Sequence, residues 1–236
     1  MLTICETSYR IGIISLFHYK GIIMPIAKSN FLGDTNVGLY GFATDRYGVC
    51  GIRSRHMERT LGVKFHLIPL YGMRLSSLFA AGNSYGIVAS NLLGKSEIVH
   101  MKSIAKVLLL DTSYTAIGNL VLLNDKGIVI SPLLRKFKKE ISEFFSLRCE
   151  VSTIAGIAVV GSVAVATNNG CIVHPRIRSK EKKILDETLQ VPLTIGTVSF
   201  GSPFVKSGLI ANKNGAIVSE RSSGIELGNI NDAFGF

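Results

Sequence analysis

The sequence has few cysteines and no pattern that would join them. Its 236 residues contain 4 cysteines, at Cys5, Cys50, Cys149 and Cys171, with no paired spacing. We therefore expect reduced thiols and not the disulfide framework of a small secreted protein. The chain also lacks any Asn-x-Ser/Thr glycosylation acceptor and any Pro-, Gly- or Ser-rich linker. These absences are typical of a packed cytoplasmic protein with a single domain.

Long hydrophobic runs are missing as well. The apolar stretch 11–17 near the start has only seven residues before His18 and Lys20 interrupt it, whereas a membrane span needs about 20. No Ala-x-Ala cleavage pattern follows it, so a signal peptide is not indicated. Sequence compatible with the rest of the chain begins at Met24. We interpret residues 1–23 as an N-terminal extension outside the fold and residues 24–236 as one domain without a membrane anchor.

Patterns for metal and cofactor binding are incomplete. Cys171 and His174 could supply two ligands, but no second pair of suitable spacing exists among the other histidines. The segment Gly94-Lys95-Ser96 resembles the end of a phosphate-binding loop, yet Ala89 occupies the position of the required first glycine. This segment is better interpreted as the start of a helix. We expect no metal and no cofactor.

What the chain does contain is a motif written five times, in which a Thr- or Asn-bearing turn ends in glycine and an apolar pair follows. The anchor glycines Gly48, Gly86, Gly127, Gly170 and Gly215 stand 38, 41, 43 and 45 residues apart. Because each glycine lies between two apolar, β-rich runs, we predict a β-hairpin at every anchor. Spacings of this length indicate repeated supersecondary units that cannot bury their apolar faces alone.

Helical spacing follows each hairpin, and a further β-rich run follows the helix. In the fourth unit Ile184, Leu185 and Leu189 mark the helix, and Ser179 is the predicted N-cap. The order β-β-α-β repeats five times, but the fifth unit ends without a closing strand. The segment 26–32 could supply that strand and leave no exposed sheet edge. We therefore predict an α/β fold of five ββαβ repeats closed into a five-bladed propeller.

Several ordered features resemble one family, repeat by repeat, over essentially all of residues 24–236. They are Gly118-Asn119 before Asn124-Asp125, the run from Gly170 to Pro175, Gln190-Val191-Pro192-Leu193 before Gly196-Thr197-Val198, and the closing stretch from Gly208 to Gly215. Together they resemble the translation initiation factor six family, in its archaeal form. The resemblance implies the pentein fold, a fivefold pseudosymmetric α/β propeller. It also implies a monomeric, non-enzymatic factor of translation initiation and ribosome biogenesis. Such a factor binds the intersubunit face of the large ribosomal subunit and prevents premature joining of the small subunit.

The resemblance also indicates candidate residues for binding the ribosome. Asn119 and Asp125 match the family pattern, with the turn residues Asn83, Asn168 and Asn212 as further candidates. For each of them the alternative is a structural turn residue, since Asn and Asp favour tight turns through local hydrogen bonds. The partner could be ribosomal protein, ribosomal RNA (rRNA) or both.

The charge of the chain is strongly positive, with 26 Lys and Arg against 16 Asp and Glu, a formal net charge of +10. Removing residues 1–23 takes away two basic residues and one acidic residue and leaves +9, so the excess belongs to the repeats. The rRNA-contact candidates are Arg135, Lys136, Lys138, Lys139, Arg176 and Arg178, beside predicted helix starts. Contact with phosphates would make binding salt-dependent. The alternative is a solvated charged helix face.

Two other functions fit parts of the sequence. Some penteins are guanidine-modifying hydrolases with a cysteine nucleophile, a histidine and paired acids. Here Cys171 and His174 are three residues apart on a strand, so their side chains point to opposite faces, and no pair of acids accompanies them. The second alternative is an RNA-binding constituent of the ribosome, which would also be found in joined ribosomes.

Overall fold

A computed structural model describes residues 25–236, and its organisation follows the five repeats. Each repeat forms a sheet of three strands, in which the hairpin strands are antiparallel and a third strand lies parallel to the second. The sheets are β2 (Gly41–Ala43), β3 (Gly48–Cys50) and β4 (Phe65–Leu67); β5 (Ala80–Asn83), β6 (Gly86–Ser90) and β7 (Lys106–Leu110); β8 (Val121–Leu123), β9 (Gly127–Ile130) and β10 (Arg148–Val151); β11 (Ala164–Ala166), β12 (Cys171–Val173) and β13 (Leu193–Ile195); and β14 (Leu209–Asn212), β15 (Gly215–Ser219) and β1 (Ile26–Ser29). The predicted hairpin at each anchor glycine is confirmed.

The interpretation of residues 1–23 as an extension lies outside the described residues.

The helices occupy two positions in the repeat. Five helices follow the second strand of their unit: α1 (Arg55–Leu61), α3 (Lys95–Lys102), α5 (Lys138–Phe145), α6 (Ser179–Leu189) and α7 (Gly224–Phe234). Short turns of helix precede the first strand in four units, namely α2 (Ser76–Phe79), α4 (Ile117–Leu120) and the 3₁₀ segments Val37–Leu39 and Val205–Gly208. A further 3₁₀ helix, Pro132–Phe137, leads into α5. Helix α3 begins directly after Gly94, as the sequence predicted for the phosphate-loop look-alike.

Strand exchange between the two ends of the described chain completes the fifth sheet. Strand β1 pairs in parallel with β15, with Ile26 opposite Ala216 and Ser29 opposite Ser219. The sequence predicted this pairing because the fifth unit has no closing strand of its own. Each of the five sheets therefore has the same three-strand composition, and the fifth takes one strand from residues 26–29.

The first strands of the hairpins contact one another in the cyclic order β2, β5, β8, β11, β14 and back to β2. The hydrophobic cores lie between neighbouring units and not within one unit. One core joins Met57 and Leu61 of α1 to Ile210 and Ile217 of the fifth sheet. The same arrangement recurs where α6 packs on β9 and α7 packs on β12 and β13. Each unit thus buries its apolar face against its neighbour, as expected for a repeat that is unstable alone.

Two details of the predicted elements are wrong. The N-cap of α6 is Arg178, one residue before the predicted Ser179, because the Glu181 carboxylate accepts the Arg178 backbone N–H at 2.9 Å and closes the first turn. The β-rich run after a helix can also be longer than the third strand it forms: residues 63–70 are mostly apolar, but only Phe65–Leu67 form β4. Its partner strand β3 has three residues, so pairing ends there although the apolar residues continue.

The pairing directions give the molecule two distinct ends. Since second and third strands are parallel, the five hairpin turns lie at one end, and helices α1, α3, α5, α6 and α7 begin at the other. The five turns, around residues 44–47, 83–86, 124–127, 167–170 and 212–215, line one shallow polar depression. We call their side the hairpin end and the opposite side the helix-start end.

Candidate binding surface

The hairpin end is built from polar residues that bind one another. The first residue of each turn is buried: Thr44, Asn83, Asn124, Thr167 and Asn212. In three turns this residue is asparagine, whose amide donates to the carbonyl of the equivalent residue in the next unit at 3.0–3.1 Å. Its own side-chain oxygen accepts backbone N–H groups within the same turn. The side chains of Asn83 and Asn212 therefore join neighbouring units, which favours the structural alternative for these two candidates.

The second residues of the turns extend this network. The Asn168 amide donates to the carboxylates of Asp45 at 2.6 Å and Asp125 at 2.7 Å. The Asp125 carboxylate also accepts the Ser84 backbone N–H at 2.8 Å. In the first unit, where threonine replaces asparagine, the Tyr47 hydroxyl donates to the Asn83 carbonyl at 2.9 Å and supplies the missing link. Asp125 and Asn168 are half-buried, and the polar groups of both side chains already form hydrogen bonds with other turns.

Asn119 lies at the other end of the molecule. It belongs to α4, directly before β8, whereas Asp125 follows β8, so the strand separates the two main candidates. The backbone carbonyl of Asn119 accepts the Gly161 N–H at 2.9 Å and fixes this turn against the next unit. Its half-buried side chain forms no hydrogen bond within residues 25–236. The structure therefore does not bring Asn119 and Asp125 into one site, and Asn119 is the one with free side-chain groups.

The basic candidates divide into two groups at the helix-start end. Lys138 pairs with Glu150 at 2.7 Å, and Lys139 lies 3.7 Å from Glu143 on the exposed face of α5. The remaining four, Arg135, Lys136, Arg176 and Arg178, are exposed and form no ion pair in the part of the chain that the structure describes. Basic residues at a helix start are opposed by the helix dipole. Their charges are consequently directed to solvent and available to an anionic partner.

Apolar side chains at the tips of tight turns were missed by the sequence analysis. At such turns Leu32 and Phe200 are 72% and 80% exposed, and Ile225, in the first turn of α7, is also 80% exposed; all three lie at the helix-start end. Leu32 and Phe200 have φ values of +57° and +66°, a left-handed conformation that is uncommon for such side chains. A visible signal existed, since Leu32-Gly33, Tyr71-Gly72, Ala155-Gly156 and Phe200-Gly201 each follow a third strand. The repetition of X-Gly at this place indicates tight turns, and the residue before the glycine is large in three of the four, at Leu32, Tyr71 and Phe200.

Two buried carboxylates hold these turns. Glu226 accepts the backbone N–H groups of Ser223, Gly201 and Phe200 at 2.7, 2.8 and 3.1 Å and the Thr197 hydroxyl at 2.8 Å. Burial raises the pKa of Glu226, but these hydrogen bonds outweigh burial and hold the pKa below its usual value.

Glu181 binds the preceding turn in the same manner. It accepts the backbone N–H groups of Arg178, Ala155 and Gly156 and the Thr153 hydroxyl. Its pKa is also lowered, since the hydrogen bonds again outweigh burial. The turns at Gly156 and Gly201 are therefore anchored to the starts of α6 and α7.

The residues of the guanidine-hydrolase alternative do not form a catalytic arrangement. Cys171 is fully buried in a core with Leu185 and Leu189. Burial raises the pKa of its thiol, with a further contribution from Asp186, so the nucleophilic thiolate is disfavoured. The His174 ring accepts the Arg176 backbone N–H at 3.0 Å, and burial and the Arg176 charge lower its pKa. The pair thus has structural surroundings and no access to a substrate.

Two further features can be stated for residues 25–236. They contain no group of three or more His, Cys, Asp or Glu residues placed to hold a metal ion. They also contain no helix that is long and apolar enough to cross a membrane.

Comparison with known proteins identifies relatives over the whole repeat region. The sequence model described as the eIF-6 family matches residues 26–233. Translation initiation factor 6 of Pyrococcus horikoshii is 32% identical over 226 residues, covering 90% of this chain and 100% of the relative. The proteins of the same name from Thermococcus onnurineus and Methanocaldococcus jannaschii are 33% and 31% identical and cover 90% and 89% of this chain, and 99% and 98% of their own lengths. Given a match of this extent, the chain belongs to the eIF-6 family of translation initiation factors.

Proposed function

We propose that this protein binds the large ribosomal subunit on its intersubunit face and prevents premature association with the small subunit. The observation that carries the proposal is the match to relatives named translation initiation factor 6 along all five repeats. The protein acts by exclusion in translation initiation and ribosome biogenesis, as a cytoplasmic monomer and without catalysis. The buried, protonated thiol of Cys171 supports the absence of catalysis.

A closed five-bladed propeller of the pentein type is the scaffold that we infer for this function. The cyclic contacts among the five first strands support it, as does the pairing of β1 with β15. Closure would join the two ends of the repeat array, with β1 covering the edge of β15. A rigid ring suits a factor that blocks a surface, because binding energy is not spent on ordering it.

We assign docking to the helix-start end. Three properties support this assignment: the free side chain of Asn119, the unpaired charges of Arg135 and Arg176, and the exposed apolar tips at Leu32 and Phe200. At the hairpin end the polar groups of the turns are bound to one another. Unpaired arginines suit rRNA phosphates, while apolar side chains on anchored turns suit a pocket of a ribosomal protein. The partner surface therefore contains both.

Sedimentation of purified ribosomal subunits tests the function. Increasing amounts of the protein are added to large and small subunits, and the mixture is separated on sucrose gradients. We expect the protein to sediment with free large subunits while the fraction of joined ribosomes falls. Joined ribosomes that persist when the protein saturates the large subunit would refute anti-association. Protein that sediments with joined ribosomes would instead support a ribosomal constituent.

A matched pair of variants tests the assigned end. Asn119→Glu adds a negative charge at the helix-start end, and Asn169→Glu makes the same change at an exposed position of the hairpin end. We expect Asn119→Glu to weaken large-subunit binding about tenfold or more. A tenfold loss corresponds to about 1.4 kcal/mol, which is the order of the cost of one lost polar contact. Asn169→Glu should bind like the unmodified protein. The reverse result would assign docking to the hairpin end.

A further inference from the structure

The turns before the five first strands bring one residue of each unit close to the centre of the molecule. These equivalent residues are Gly38, Ser77, Gly118, Gly161 and Lys206. Three are glycines because the backbones approach closely: a Cβ on Gly38 would overlap the Lys206 carbonyl oxygen, and one on Gly118 would overlap the Ser77 carbonyl oxygen. Ser77 and Lys206 are the two departures from this pattern. Both carry polar groups into a place where the other units have no side chain.

Lys206 is buried, and its hydrogen bonds satisfy only part of its ammonium group. Only 9% of it is exposed, and its Nζ donates to the carbonyl oxygens of Ser77 at 2.8 Å and Gly118 at 2.6 Å. An ammonium group has three N–H donors, so one of them remains without a partner within residues 25–236. Both acceptors are neutral and leave the positive charge unbalanced. A buried charge without an opposite charge is costly.

Ser77 adds a second unsatisfied group. Ser77 is fully buried, and its Oγ has no hydrogen-bond partner within the described part of the chain. Buried hydroxyl groups are nearly always bound to something. Ser77 and Lys206 line the same cavity, but the Ser77 Oγ has no surface that a molecule of the size of water can reach, so the third ammonium N–H is the donor left for an occupant.

The cavity that these groups line has a volume of about 80 Å³. A single water needs about 10–15 Å³ by this measure, so the space can hold several waters or a small ion. The other lining residues are mainly small or aliphatic, such as Gly41, Ala81 and Ala164, and none of the described lining residues is Asp, Glu, His, Cys or Tyr. No side chain of the cavity can therefore balance the ammonium charge. Burial accordingly lowers the pKa of Lys206 to about 7.

We propose that this central cavity is a binding site for a small inorganic anion, with the Lys206 ammonium as its donor. The anion supplies the missing negative charge and accepts the remaining ammonium N–H, while the two carbonyl oxygens continue to hold Nζ. Binding requires the ammonium form, so the anion and the proton bind Lys206 together. The groups of the site are buried and are not among the residues assigned to docking, although Gly118 directly precedes Asn119.

Nuclear magnetic resonance of lysine ¹³Cε groups tests the proposal in the unmodified protein. The Lys206 resonance is titrated with pH at equal ionic strength in chloride, in phosphate and in gluconate, which is too large for the cavity. We expect the Lys206 pKa to rise by about one unit in the anion that binds, when the free anion is at about ten times its dissociation constant for the ammonium form. The salt that raises the Lys206 pKa identifies the bound anion as chloride or phosphate. The same pKa in all three salts would refute the site and leave a cavity that holds only water.

Variants provide a second measurement. Lys206→Gly restores the residue found in three other units, and Lys213→Ala removes an exposed lysine at the hairpin end as the control. The increase of the melting temperature in the binding anion, relative to gluconate, should disappear in Lys206→Gly and persist in Lys213→Ala. An increase that is equal in all three proteins would contradict the proposal. Should Lys206→Gly fail to fold, the titration of the unmodified protein still decides.

Discussion

At each hairpin the anchor glycine is needed for close packing and not for an unusual backbone conformation. None of the five has a positive φ. A Cβ on Gly127 would overlap the carbonyl oxygen of Thr188 in α6, and one on Gly170 would overlap that of Ala233 in α7. Each of these glycines therefore receives the last turn of a helix from the next unit. The hairpin motif was correctly identified from the sequence, but the reason for its glycine was visible only in the contact between units.

Substituting one of these glycines tests the packing. We expect Gly170→Ala to lower the free energy of unfolding by about 1–3 kcal/mol, since an added methyl group in a filled space forces the backbone apart. Gly228→Ala is the control, because Gly228 is exposed within α7 and has nothing near its Cβ position. That change should stabilise the protein by about 0.5–1 kcal/mol through helix propensity. Urea unfolding measures both, and an unchanged midpoint for Gly170→Ala would contradict the close contact.

The lowered pKa of Glu226 predicts how its contribution to the free energy of unfolding changes with pH. Its pKa in the folded protein lies below the usual value of 4.5, so its stabilising contribution is complete above that value and is lost as the pH falls through the folded pKa. Glu226→Gln should therefore lower the free energy of unfolding by about 1–3 kcal/mol at pH 7. The difference from the unmodified protein should narrow as the pH falls below about 4.5.

The control for this prediction is Glu143→Gln. Glu143 lies on the exposed face of α5, 3.7 Å from Lys139, and exposed pairs of this kind contribute about 0–1 kcal/mol. Chemical unfolding between pH 3 and pH 7 gives the comparison. A Glu226→Gln variant whose difference from the unmodified protein is the same at every pH would show that the carboxylate charge is not the stabilising group.

At the scale of elements, the repeat allowed much of the fold to be predicted. The hairpins, the helices after them and the closing strand from residues 26–32 follow from local patterns and from the need to complete the fifth sheet. Strand lengths did not follow, because a strand ends where its partner ends, as β4 does beside β3. The separation of Asn119 from Asp125 also escaped prediction. Six residues apart in sequence, they lie at opposite ends of β8, and only the strand direction shows it.

Two truncations test the closing strand. Deleting residues 1–29 removes β1 and leaves β15 without its parallel partner, so we expect a lower melting temperature and a tendency to aggregate through the open edge. Deleting residues 1–23 leaves β1 in place, and we expect the melting temperature to stay within error of the full chain. Thermal unfolding and light scattering measure both. A stable, monomeric protein lacking residues 1–29 would show that β1 is dispensable.

At the scale of the whole molecule, the distribution of charge distinguishes the two ends. The four candidates Arg135, Lys136, Arg176 and Arg178 at the helix-start end form no ion pair within residues 25–236, while the hairpin end binds the carboxylates of Asp45 and Asp125 through Asn168. A net charge of +10 attracts any nucleic acid at long range. Only charges that contact phosphates, however, contribute to the salt dependence of the bound state. The salt dependence of binding to the large subunit therefore shows which end contacts rRNA, independently of the total charge of the protein.

Two double variants with the same total charge make this comparison. Arg135→Glu/Arg176→Glu changes the helix-start end, and Lys102→Glu/Lys106→Glu changes exposed lysines at the hairpin end. We expect the first to weaken binding to large subunits and to reduce the slope of log affinity against log salt by roughly 1 for each lost phosphate contact. The second should weaken binding slightly and leave the slope unchanged, because it alters only the long-range field. Binding assays between 50 and 200 mM salt, a range over which phosphate contacts change affinity by about 10³-fold or more, resolve the two. Equal slopes for both variants and the unmodified protein would show that these arginines do not contact rRNA, and would leave the apolar turns to bind ribosomal protein.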